Sequence, residues 1–200
     1  MNYGELKSQF LELLNRSDCT DGLAITFLRQ GFSRIQRELR IPAMEREVYV
    51  ETEANLDSVL IPMDFLELRD AIAGETPLEK VSYRQLLTKS AVGSPRFFAR
   101  RGGEFVFRPM VPPGLTLTLL YYGECGPLAS DEDVNELTAI APDLCLYSAL
   151  AYAGDYFTHD KSAEWEGRYQ QIRDEMNEQA LSEEFTGGPM CIQSAYPIDD

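Results

Sequence analysis

The residues that could do chemistry in this 200-residue chain are one histidine, four cysteines and 33 aspartates and glutamates. A zinc centre or a thiol redox pair needs closely spaced soft or imidazole ligands. The four cysteines are far apart and none forms a C-x-x-C motif; they are Cys19, Cys125, Cys145 and Cys191. We therefore interpret them as free thiols, and we expect no metal and no cofactor.

The single histidine, His159, would have to serve in any Ser-His-Asp triad. It lies in Thr158-His159-Asp160, at a predicted turn between helices, where polar residues are expected on structural grounds. The pair Gly102-Gly103 joins two predicted strands, whereas a phosphate-binding glycine loop leads from a strand into a helix. A pair of carboxylates could still support hydrolysis of a glycoside, although most of the acids lie on helices whose opposite face is apolar. We expect no catalytic residue.

The charge of the chain is unevenly distributed. Residues 1–123 hold 15 Lys and Arg against 16 Asp and Glu, whereas residues 124–200 hold 3 against 17. This deficit of cations argues against a protein that grips phosphate backbones. It allows an acidic wall past which DNA slides, and it is equally typical of a solvated face that maintains solubility.

Membrane insertion and secretion are not indicated. The first turn carries Glu5 and Lys7, and the longest apolar stretch, residues 115–122, is interrupted by threonines. We expect the protein in the cytoplasm or in a particle.

Helical periodicity marks both ends of the chain. A first helix is predicted from Tyr3, and a second, capped by Thr20 or Asp21, runs to Pro42. The second helix has an apolar stripe of Ile25, Leu28, Phe32, Ile35 and Leu39. Near the C-terminus, one helix begins at Pro142 and another, carrying Trp165 and Tyr169, near Lys161.

The middle of the chain alternates with a period of two, which predicts short antiparallel strands. The clearest signal is a hairpin at Gly102-Gly103, between Phe97-Phe98 and residues 105–107. The predicted fold class is α+β: N- and C-terminal helices form a bundle, a small antiparallel β domain is inserted between them, and an extended C-terminal tail follows. The predicted divisions are residues 1–41, 42–123, 124–186 and 187–200.

Several motifs, in this order, resemble the adaptor proteins that join head to tail in short-tailed bacteriophages. They lie within residues 2–185. The stretches that carry the resemblance are residues 33–41 before Pro42, residues 61–69, residues 95–98 with 103–105 and Pro109, residues 117–119 with Tyr121-Tyr122, residues 142–150, and Trp165 with Arg168-Tyr169.

The resemblance implies a homo-oligomer, a twelve-copy ring docked under the portal protein. The ring would hold the tail nozzle protein and surround a channel through which genomic DNA passes without specific binding. It also implies a place at the head-tail junction of the virion, with assembly in the host cytoplasm.

A basic second helix and an acidic last helix would suit a head-to-tail contact between neighbouring copies. Ordinary pairs within the chain are the alternative for the same arginines. The predicted subunit seam consists of Arg34, Arg37 and Arg40 against Glu164, Glu175 and Glu178. In the tail, the predicted anchors toward the portal or a neighbouring copy are Met190, Ile192, Tyr196 and Ile198.

Two other functions remain open from sequence. One is a different neck or head-completion protein of the virion. The other, ranked last, is a small carboxylate-dependent hydrolase.

Overall fold

The chain is described here by a computed structural model that covers residues 1–185. The predicted tail anchors Met190, Ile192, Tyr196 and Ile198 lie outside the described residues. The chain divides into two compact units. A β unit consists of Met1–Gly4 and Ala43–Ile140, and a helical unit consists of Glu5–Pro42 and the chain from Ala141 onward.

The predicted α+β fold class is confirmed, because two sheets lie in sequence between N- and C-terminal helices. The helices of the described residues are α1 (Tyr3–Leu14), α2 (Asp21–Glu38), α3 (Tyr83–Thr88), α4 (Glu136–Ile140), α5 (Pro142–Tyr156) and α6 (Ser162–Phe185). The strands are β1 (Glu45–Glu51), β2 (Leu56–Leu60), β3 (Phe65–Ala73), β4 (Thr76–Pro77), β5 (Glu79–Lys80), β6 (Phe97–Arg101), β7 (Glu104–Val111) and β8 (Thr116–Gly123).

Helix α2 begins where the sequence predicts, because the side chain of Thr20 caps it by accepting a hydrogen bond from the amide of Leu23. The predicted stripe is confirmed in part, since Leu28, Ile35 and Leu39 are buried. The buried residues are Ala24, Phe27, Leu28, Gly31 and Ile35, while Ile25 and Phe32 are only half-buried. The stripe is shifted because the face containing Gly31 packs against α5.

Gly31 allows α2 and α5 to approach closely. A Cβ at this position would lie 3.0 Å from the backbone nitrogen of Ala149. The hydroxyl of Ser148 donates a hydrogen bond to the Gly31 carbonyl across the same contact. Most residues of α5 are buried, which makes α5 the central helix of the unit.

The β unit contains two four-stranded sheets packed face to face. Sheet A has the order β1-β8-β3-β4 and sheet B the order β2-β7-β6-β5. All pairs are antiparallel except the short parallel pair β5 and β6. The core between the sheets is formed by Ala71, Ala73, Leu117 and Leu119 from sheet A and by Phe98, Phe105, Phe107 and Val111 from sheet B.

The predicted hairpin is confirmed. Strands β6 and β7 are joined at Gly102-Gly103, with Arg101 opposite Glu104. Gly102 has a φ of +61°, the left-handed conformation that favours glycine in a tight turn.

Helix α3 was not predicted, although the sequence carries its signal. Ser82 and Gln85 form a reciprocal capping box at its start. Leu86 then packs on Ala99 and Val106, on the face of sheet B that points away from the sandwich core. The strand that precedes α3 in sequence, β5, has only two residues.

Candidate assembly surfaces

A charged cluster joins α2 to α6 within the helical unit. The Arg34 guanidinium donates two hydrogen bonds of 2.7 Å to the carboxylate of Glu166, and its Nε donates to Glu38 at 3.2 Å. The Tyr169 hydroxyl and Arg173 Nη1 donate to the other oxygen of Glu38, each at 2.8 Å. The guanidinium carbon of Arg34 also lies 4.1 Å from the centre of the Tyr169 ring. Paired donors and acceptors of this kind fix one helix against the other.

The ionisation of the cluster follows from these contacts. The hydrogen bonds from Arg34 hold the pKa of Glu166 below its usual value. Burial disfavours ionisation of Glu38, but hydrogen bonds from Arg173, Tyr169 and Arg34 together lower its pKa. Burial, and then the neighbouring Glu38 carboxylate, raise the pKa of Tyr169. The carboxylates are therefore held as ions in a structural network.

The three arginines of the predicted seam lie in different environments. Arg34 is committed to carboxylates of its own chain. Arg40 donates to the backbone carbonyls of Gln36 and Leu39. Arg37 is exposed and lines a shallow groove together with Thr26, Arg29, Gln30, Ser33 and Tyr152.

The acidic residues of the predicted seam share an exposed face of α6. Glu164 pairs with Arg168, one turn further along the helix. Glu175 accepts a hydrogen bond from Gln171, and Glu178 is exposed. The spacing of Glu164, Gln171, Glu175 and Glu178 places them on one stripe, opposite the buried Trp165 and Tyr169. Arg37 forms no ion pair with these acids within residues 1–185, and the seam stays a prediction.

His159 lies at the turn between α5 and α6, as expected. Its Nδ1 accepts a hydrogen bond from the backbone amide of Lys161 at 3.1 Å, and its ring centre lies 4.6 Å from that of Trp165. These contacts give it a structural role in the turn. Within residues 1–185, no group of three or more His, Cys, Asp or Glu side chains is arranged to hold a metal ion. None of the helices in the same range combines the length and the hydropathy of a membrane-spanning segment.

The outer face of sheet A is acidic. Residues directly opposite each other in an antiparallel pair of strands share a face of the sheet. On the outer face, β1 places Glu47, Tyr49 and Glu51 opposite residues of β8, which are Leu120, Thr118 and Thr116 respectively. Strand β3 adds Glu67 and Asp70 to the same face. Glu47, Glu51, Glu67 and Asp70 are all exposed.

The outer face of sheet B is basic, which the sequence reasoning missed. Residues 43–75 hold nine Asp and Glu against two Lys and Arg, whereas residues 80–108 hold one against seven. The charges of these two segments cancel when they are summed over residues 1–123. A sum over shorter stretches of sequence would have separated the acidic segment from the basic one. Arg101 and Arg108 alternate with the core residues Phe105 and Phe107 and so lie on the outer face, whereas Arg100 lies opposite Phe105 on the core side. Of the seven cations, only Arg101 forms an ion pair within the described residues, with Glu104 at 2.9 Å.

A groove lies between α3 and β7 on this basic face. Its lining includes Tyr83 and Leu87 from α3, Arg101 from β6, and Arg108 and Met110 from β7. One carboxylate, Asp57, also lines it. Leu87 and Met110 are about half exposed, at 52% and 46%. An apolar lining with cationic edges is suited to an acidic protein surface that carries an apolar anchor.

A family model described as SU10 adaptor protein matches residues 1–192. The chain belongs to this family. The resemblance to phage adaptors is thereby confirmed, and with it a structural adaptor role. No curated protein sequence matches this SU10 adaptor significantly.

Proposed function

We propose that this SU10 adaptor forms a ring that joins the portal to the tail nozzle and surrounds the channel through which the phage genome leaves. The observation that carries the proposal is the family match over residues 1–192, nearly the whole chain. The ring would lie at the head-tail junction of the virion and assemble in the host cytoplasm.

The charge of the chain supports a conduit more than a DNA-binding protein. Its formal net charge is −15. A surface of this sign repels a duplex and leaves it free to move, whereas a protein that holds DNA relies on clustered cations.

Copy number on the portal tests the proposal. The adaptor is purified together with the portal protein of the same phage, and the complex is examined by native mass spectrometry and particle imaging. We expect twelve adaptors on a twelve-copy portal, placed on the side that receives the nozzle. A protein that stays monomeric beside the portal would overturn the proposal. A different position in the neck would favour another neck or head-completion protein.

We further propose that α6 of one copy meets α2 of the next through the predicted seam. Arg37, together with Arg29 in the same shallow groove, is exposed and would face the acidic stripe of Glu164, Glu175 and Glu178. Arg34 supports this seam only indirectly, because it holds α6 in place within its own chain.

Charge reversal tests the seam. Arg37→Glu and Glu178→Lys should each weaken ring assembly, and a mixture of the two variants should restore it. Arg34→Glu is unsuitable for this test because it would also disrupt the subunit. Unchanged assembly in both single variants would contradict the seam.

The C-terminal tail is proposed to bind the portal or a neighbouring copy. Its predicted anchors are Met190, Ile192, Tyr196 and Ile198. Truncation after Gly188 should weaken portal binding in the same copy-number assay, and undiminished binding would rule the tail out as an anchor.

A further inference from the structure

The two outer faces of the β sandwich carry opposite charge. Sheet A presents Glu47, Glu51 and Asp70, while sheet B and α3 present Arg84, Arg108 and their basic neighbours. None of these five residues forms an ion pair in the described chain. Glu47 interacts with the neighbouring Tyr49 hydroxyl, but no opposite charge of the described residues neutralises these five side chains, so they can pair with charges on a partner.

A second copy of the chain is the partner that this pattern fits. Opposite, unlike faces on one unit can bind each other only between different molecules, front to back. Such heterologous contacts generate a ring when the rotation closes. Like faces would repel, so a symmetric face-to-face dimer is disfavoured.

The two faces also match in their apolar groups. Tyr49 is 64% exposed at the centre of the acidic face, between Glu47 and Glu51 on the same strand. On the basic side, the groove presents Leu87 and Met110 beside Arg101 and Arg108. An aromatic side chain with a polar tip is a common interface anchor, because it buries a large area and can still form a hydrogen bond.

We propose that the acidic face of sheet A, anchored by Tyr49, docks into the basic groove between α3 and β7 of the neighbouring copy. This contact rests on the proposed ring and specifies which surfaces of the β units form it. It is separate from the proposed seam between α2 and α6.

A paired charge swap tests the contact. One variant carries Glu47→Lys and Glu51→Lys, and the other carries Arg84→Glu and Arg108→Glu. Alone, each variant would bring like charges together, and we expect its assembly on the portal to fall by about tenfold or more. When the two variants are mixed in equal amounts, each contact between unlike variants is complementary again, so a ring of alternating variants should form. Tyr49→Ala should weaken assembly without any change in charge.

Several controls keep the test decisive. Glu12→Lys changes an exposed charge on α1, outside both faces, and should assemble like the wild type. Circular dichroism and urea unfolding should show that each swap variant is folded, since the substituted residues have no ion-pair partner in their own chain. Arg37→Glu serves as a comparison for the α2 seam.

The outcomes separate this inference from the proposed function. If wild-type protein forms no ring on the portal, the proposed function fails. If wild-type protein forms the ring and both swap variants do as well, or if mixing them restores nothing, only the docking of sheet A into the groove is overturned. Binding of a DNA duplex that the arginine swap abolishes would assign the groove to nucleic acid and likewise overturn the inference.

Discussion

The two units of this adaptor use charge in different ways. In the helical unit, Arg34, Glu38, Glu166 and Arg173 neutralise one another across α2 and α6. The β unit has ion pairs of its own, Arg46 with Glu136, Arg69 with Glu45 and Arg101 with Glu104. It also presents exposed acids on sheet A, Glu47, Glu51 and Asp70, that form no ion pair within residues 1–185. The half-buried cluster of the helical unit therefore stabilises the subunit, whereas the unpaired exposed charges of the β unit are available for assembly.

Removing Arg34 should have the largest effect on the subunit. Arg34→Ala deletes three hydrogen bonds and leaves two half-buried carboxylates with fewer partners, so we expect the free energy of unfolding to fall by about 2 kcal/mol. The matched control is Arg84→Ala in the β unit, where we expect a change within about 0.5 kcal/mol. Urea unfolding of both variants at neutral pH measures the difference. Equal effects would remove the distinction between the two regions.

Acid should reduce the effect of the Arg34 substitution. The folded pKa values of Glu166 and Glu38 lie below the value of 4.5 for a free glutamate. A carboxylate with a lowered folded pKa stabilises the fold above its unfolded pKa, and this stabilisation is lost as the pH falls through the folded value. We therefore expect unfolding free energies of wild type and Arg34→Ala to differ most near neutral pH and to converge below about pH 4. A difference that stays constant down to strong acid would contradict the assignment.

Much of the fold follows from hydrophobic periodicity and from the residues at turns, but the exact position of the buried face on a helix does not. The starts of α1 and α2, the proline-led start of α5 and the Gly102-Gly103 hairpin all follow from local sequence, whereas α2 ends at Glu38, before the predicted Pro42. The buried face of α2 was predicted in part: Leu28 and Ile35 are buried, but Gly31 is buried where Phe32 was expected. The close contact of Gly31 with Ala149 has no signal in hydrophobicity. Helix α3 had a local signal, the capping box of Ser82 and Gln85, and could have been found.

The charged surfaces show a similar division. Arg34 and Glu166 are 132 residues apart, and spacing along the chain gives no indication that they meet. The basic and acidic segments of the β unit were visible in the sequence, but summing charge over 123 residues concealed them. An ion pair between residues far apart in the chain can be found only in a structure. Separation of acidic and basic segments can be found in the sequence, when charge is summed over a window no longer than a supersecondary element.

A smaller effect is expected at Tyr169. Tyr169→Phe keeps the buried ring and removes the hydrogen bond to Glu38, so the free energy of unfolding should fall by about 1 kcal/mol. Tyr156→Phe alters an exposed tyrosine of the same unit and should change the stability little. Differential scanning calorimetry of the two variants compares them directly, and an equal loss in both would show that the hydroxyl of Tyr169 has no special role.

Salt should have the smallest effect on the subunit and a clear one on assembly. The cluster of Arg34 is half-buried and hydrogen-bonded, so raising the ionic strength should change the free energy of unfolding by less than about 0.5 kcal/mol. In the proposed contact, the acidic face of sheet A attracts the basic face of sheet B on the neighbouring copy through solvent. Screening at about 0.5 M salt should slow and weaken this association. Unfolding and ring assembly measured over the same salt series should therefore separate. If stability and assembly declined together, the exposed charges of the β unit would be stabilising the fold, and the distinction between the two units would be wrong.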